Sequence, residues 1–123
     1  MIKIIIPGTF ATLNEYIDAN RTGRGRWNKG NAMKQRDQHV ISCYLPRVRL
    51  KGPVIIRYTF YERNRRRDLD NVSGYFHKIF QDALVCAGVL PGDGWRYIRG
   101  MSDEFEVDSK TPRIEVILDN GEE

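Results

Sequence analysis

The segment Asp70–Ala87 limits the folds open to this chain more than any other stretch. On a helical projection Val72, Tyr75, Phe76, Ile79, Phe80, Ala83, Cys86 and Ala87 share one broad arc, while Ser73, Gly74, His77, Lys78, Gln81 and Asp82 occupy the other. Gly88 follows as a natural C-terminal stop. A helix with three rings on one side needs an apolar layer to cover. Ile2–Pro7, β-branched and ended by Pro-Gly, and Val54–Tyr61, rich in Val, Ile, Tyr and Phe, read as strands that supply it. Trp95–Met101 and Arg113–Leu118 read as two further strands split by an acidic loop. Thr9–Lys29 lacks periodicity and carries TGRGRWNKG, so a long loop is expected there. A second helix is expected from Ala32 to Leu45, capped by Asn31 and stopped by Pro46. This order predicts one α/β (α+β) domain over residues 1–123, a small mixed β-sheet with two main helices packed against it.

Composition bounds the class. The 123 residues are 41% apolar and 29% charged, too apolar for a disordered chain. No apolar run approaches the ~18 residues of a membrane span. The N-terminal MIKIIIPG is too short and too β-branched for a signal peptide, which implies a cytoplasmic protein. Cys43 and Cys86 lack metal-ligand spacing and are expected as buried free thiols.

The net charge of +4 conceals an asymmetry. Residues 1–99 hold 18 Lys/Arg against 8 Asp/Glu, a balance of +10, and residues 100–123 hold 2 against 8, a balance of −6. The basic residues cluster as Arg21, Arg24, Arg26 and Lys29, as Arg47, Arg49 and Lys51, and as Arg63, Arg65, Arg66 and Arg67. Such clusters suit a polyanion, through release of its counterions, or equally a solvated basic face. Trp27, inside the first cluster, suits stacking on a base or packing back on the core.

Three acids stand out against this background. Asp68 and Asp70 close the run RRRDLDN, and Asp93 lies in the turn after the helix. In extended chain Asp68 and Asp70 point to one face, with Leu69 turned to the core. Two carboxylates about 4 Å apart repel by roughly 1 kcal/mol in water and nearer 4 kcal/mol at an effective dielectric of 20. A hard divalent cation such as Mg²⁺ offsets that repulsion; a helix N-cap and arginine salt bridges are the competing use of the same residues. For Asp93 to join them, either its turn folds back or a neighbouring subunit supplies the approach. His77 and Lys78, on the polar side of the helix, are further candidates, although such residues more often only face solvent.

The run Arg66-Arg67-Asp68-Leu69-Asp70-Asn71, followed by Asp82-Ala83-Leu84, Ala87-Gly88 and Asp93, closely resembles the RusA family of Holliday junction resolvases, in the longer spacing of phage-associated members. The match covers about residues 63–98, and Leu13-Asn14-Glu15-Tyr16 is similar to the family's Asn-containing segment after its first strand. The resemblance implies a Mg²⁺-dependent endodeoxyribonuclease acting as a homodimer on four-way DNA junctions, with no small-molecule cofactor beyond the metal. It implies metal-binding and catalytic roles for Asp68, Asp70 and Asp93. Its functional lysine falls on Gly74 counted from Asp70, and on Lys78 counted back from Asp82. Arg65, Arg66, Arg67, Asn71, Asn14, Arg21, Arg24, Arg26 and Lys29 are then the expected DNA contacts. A non-catalytic basic DNA-binding module and a metal nuclease for other branched DNA are the alternatives.

Overall fold

A computed structural model describes residues 1–24 and 28–121. In chain order the elements are β1 (Ile2–Pro7), α1 (Leu13–Asn20), α2 (Lys29–Ser42), β2 (Val54–Glu62), α3 (Leu69–Cys86), β3 (Ile98–Val107) and β4 (Arg113–Asp119). The sheet order is β1-β4-β2-β3. β4 pairs antiparallel with both β1 and β2, and β3 pairs parallel with β2. The fold is therefore a single mixed α/β domain with a four-stranded sheet.

Alternation in the strands sets the core. Ile4 and Ile6, Ile56, Tyr58 and Phe60, and Ile114, Val116 and Leu118 are buried on one sheet face, while Ile5 and Arg57 between them are exposed. The aromatic side of α3 lies on that face: Phe76 packs edge-on against Tyr58 and Phe60, and Phe80 edge-on against Tyr58. Replacing Phe76 with Ala should cost about 3–5 kcal/mol of stability, read as a lower urea midpoint at unchanged slope.

Several sequence expectations change. The segment expected as loop contains α1, making three helices rather than two. Thr12 Oγ1 accepts the Glu15 N–H at 3.2 Å while Glu15 Oε1 accepts the Thr12 N–H at 3.3 Å, a capping box that starts the helix. α1 has no fully buried residue, which is why it lacks an apolar stripe, although the Tyr16 ring packs tilted against that of Tyr75 with centroids 4.8 Å apart. α2 begins and ends three residues earlier than expected, because Asn28 rather than Asn31 caps it, its Oδ1 accepting the Asn31 N–H. β3 starts beyond Trp95 and runs through the acidic stretch to Val107. As an edge strand it is bonded to β2 alone, with Glu104 and Glu106 in solvent and Asp103 turned to His77. Cys43 and Cys86 are exposed rather than buried, both at helix ends where the chain leaves the core.

A charged cluster ties β4 to its neighbours. Arg113 donates to Asp108 and Glu115 at 2.8 and 2.7 Å, and its guanidinium lies 3.8 Å from the centre of the Tyr61 ring. The Thr111 N–H and hydroxyl, then Arg113, hold the Asp108 carboxyl down at about 2. Lys3 and then Arg113 lower that of Glu115. A carboxyl depressed by folding stabilises above its unfolded pKa, and that contribution is lost as pH falls through its folded value. Unfolding midpoints should therefore hold at neutral pH and drop between about pH 4 and 2. Asp108→Asn should flatten that drop.

Candidate metal-ion and nucleic-acid site

The acidic pair sits where β2 hands over to α3. Asp68 occupies the N-cap position of α3 with extended backbone, and Asp70 lies in the first turn. The helix begins at Leu69, so the chain is not extended through Asp70. Leu69, expected to face the core, is 57% exposed as a result. Asp68 does not spend its carboxylate on capping, for its side chain makes no cap hydrogen bond. Both carboxylates are exposed, and neither has an ion-pair partner among the described residues. The free N–H groups and dipole of the helix N-terminus favour negative charge there without consuming these oxygens. Exposed, uncommitted carboxylate oxygens are the kind of donor Mg²⁺ selects, but the helical start removes the extended-chain alternation expected to turn Asp68 and Asp70 to one face.

Asp93 is placed elsewhere. The Glu62–Arg67 ion pair fixes the start of α3 at the Glu62/Val107 end of the parallel strand pair. The turn holding Asp93 sits at the Val54/Ile98 end, where the Gly94 carbonyl accepts the Tyr97 and Ile98 N–H groups. α3 spans its 18 residues, about 27 Å, between the two. The turn does not fold back, and among the described residues no three His, Cys, Asp or Glu side chains of one chain are grouped to hold a metal.

The arginines divide into two roles. Arg63, Arg65 and Arg66 are exposed and have no ion-pair partner among the described residues. Asn64 Oδ1 accepts the Arg66 N–H at 2.9 Å, a local turn within the run. Arg67 turns inward instead, donating to both carboxylate oxygens of Glu62 at 2.8 and 3.1 Å and to the Phe10 carbonyl at 2.7 Å. It anchors the strand-to-helix connection from which Asp68 projects.

Two residues named from sequence meet directly: Asn71 Oδ1 accepts the Asn14 N–H at 2.9 Å, joining the first turns of α1 and α3. Gly74 explains itself through the same contact, since a Cβ there would lie 3.1 Å from Leu13 Cδ2. A side chain there would require the end of Leu13 to give by a few tenths of an ångström. Lys78, one turn further along, is exposed and without an ion-pair partner among the described residues, about 12 Å along the axis from Asp70. In the first basic cluster, Arg21 reaches Asp18 at 3.7 Å, Arg24 is exposed, and Lys29 is the first residue of α2. Arg26 and Trp27 lie outside the described residues.

Sequence reasoning left His77 as a solvated side chain. Its Nε2 lies 2.6 Å from Asp103 Oδ1 and its ring 4.5 Å from that of Tyr58, so it ties α3 to the edge strand. The only advance signal was its place on the polar side of α3, and its partner falls in a stretch expected as loop. Beside the acidic pair, between the start of α3 and the end of β3, opens a cavity of about 370 Å³ lined by Leu69, Val72, Phe105 and Val107 and by the polar Glu62, Asn64, Arg65, Arg67 and Glu106.

No protein-family model and no curated protein sequence matches the chain.

Proposed function

We propose that this protein is a Mg²⁺-dependent endodeoxyribonuclease that nicks four-way DNA junctions as a homodimer. The observation that carries the reading is the Asp68–Asp70 pair at the head of α3, uncommitted among the described residues and flanked by arginines that have no ion-pair partner among them. A bound metal would supply an activated water and neutralise charge developing on the scissile phosphate. Arg63, Arg65 and Arg66 hold flanking phosphates, and Arg67 keeps the acidic pair in place from behind. Because Asp93 stands at the far end of α3, its part in the reading falls to the second protomer, whose Asp93 completes the set. Two-fold symmetry then creates two equal sites, matched to the approximate two-fold symmetry of a junction.

The experiment is a labelled synthetic junction and a matched linear duplex, each with and without Mg²⁺, beside Asp70→Asn. Symmetric Mg²⁺-dependent nicking of the junction alone is expected, lost in Asp70→Asn with binding kept. Equal cutting of the duplex would point to another metal nuclease. Salt-dependent binding with no cutting in the parent protein would leave a binding module. Lys78→Ala should lower the turnover number about tenfold or more with junction affinity little changed, as for a group acting on the reacting phosphate. An unchanged turnover number would remove Lys78 from the site.

A further inference from the structure

Trp95 is the most exposed large apolar side chain among the described residues, at 96%, and lies in the turn two residues after Asp93. Four of the ten large apolar side chains left exposed, Leu69, Trp95, Met101 and Val107, follow β3 and the flank of α3 beside it. β3 is ten residues long and bonded on one side only. A long free edge of this kind is a template for another strand unless something covers it.

The two ends of this edge are complementary. Trp95, Arg96 and Arg99 stand at its beginning, and the cavity of mixed lining, Glu104 and Glu106 at its end. We infer that a second copy of this chain docks antiparallel along the free edge of β3, each copy seating Trp95 in the cavity beside Leu69 of the other. A two-fold axis near the middle of β3 makes both contacts at once and sets Arg99 of each copy near Glu106 of its partner. The cavity, about 370 Å³, has room for an indole, and burying a tryptophan removes about 150–250 Å² from water. Leu69, Val72, Phe105 and Val107 would pack on the ring, and the polar lining, Arg65 and Glu106 among it, would meet its N–H edge. The same motion carries Asp93 of one copy toward Asp68 and Asp70 of the other. The inference therefore rests on the dimeric reading above and names the contact that makes the dimer.

The test is sedimentation of the full chain in EDTA without DNA, so that its outcome is independent of cleavage. The parent protein should be dimeric, and Trp95→Ala should weaken self-association about thirtyfold or more with an unchanged circular dichroism spectrum. Arg99→Glu and Glu106→Arg should each weaken the dimer, and the two together in one chain should restore it. With Trp27→Phe leaving Trp95 as the single tryptophan, its emission should shift to the blue as the dimer forms. An equally stable dimer in Trp95→Ala, or an emission still typical of water at concentrations where the chain is dimeric, would overturn the inference. So would a monomer whose Trp95 emission changes only when DNA is added, which would assign the ring to base stacking. Junction cleavage absent from an intact Trp95-dependent dimer would sink the nuclease reading and leave this interface standing.

Discussion

Mixing Asp70→Asn protein with Asp93→Asn protein should restore junction nicking that neither variant performs alone. Each single change removes one carboxylate from every site, and losing a metal ligand costs several kcal/mol of transition-state stabilisation, about a thousandfold in rate. The two acids lie at opposite ends of the ~27 Å of α3, so a site that uses both draws them from different chains. In a mixed dimer one site then receives Asp70 from the Asp93→Asn chain and Asp93 from the Asp70→Asn chain, and is intact. Its companion receives both asparagines. Half the dimers in an equal mixture are mixed, so about a quarter of all sites should be active. Were each chain to use its own Asp93, every site in the mixture would carry one lesion and no nicking would return. The assay is Mg²⁺-dependent nicking of a labelled junction after the two proteins have been mixed long enough to exchange subunits.

Legibility in the sequence followed burial. α3 was readable from end to end because its aromatic face is a continuous stripe and Gly88 ends it, at φ +75°. β1, β2 and β4 were readable for the same reason, each alternating against one core. α1 was not legible, although Thr12-Leu13-Asn14-Glu15 spells a capping box, because this helix buries no residue completely and so carries no apolar stripe. β3 was misplaced because an edge strand tolerates Asp103, Glu104 and Glu106, which read as loop. At the site, DLDN marked the acidic pair, and a run of like residues hid a division of labour. Nothing in Arg65-Arg66-Arg67 distinguishes the side chain that turns in to Glu62 from the two that face solvent. That difference is set by Phe10 and Glu62, which tertiary structure alone brings alongside. The separation of Asp93 from the pair follows from simple length, since a helix of this span keeps its ends apart.

Arg67→Ala should destabilise the fold by about 2–3 kcal/mol, whereas Arg66→Ala should change stability by less than about 0.5 kcal/mol. Glu62 is 9% exposed, and Arg67 supplies both of its charge-assisted hydrogen bonds together with one to the Phe10 carbonyl. Removing the guanidinium leaves a nearly buried carboxylate without its counter-charge, and that penalty exceeds the net worth of the pair. The partial exposure of Arg67, 28% of its side chain, keeps the cost below that of a fully buried pair. Urea unfolding of the two variants measures the contrast. DNA binding should divide them the other way. Arg66→Ala should weaken affinity on all sequences and lower the slope of log K against log salt by about 1, as for the loss of one phosphate contact. Folded Arg67→Ala should keep the parental slope. A stable Arg67→Ala with a reduced slope would make Arg67 a phosphate contact beside Arg63, Arg65 and Arg66 and leave the acidic pair without its support. The apolar replacement Glu62→Leu with Arg67→Met should recover much of the stability lost in Arg67→Ala, because it removes the stranded charge along with its partner.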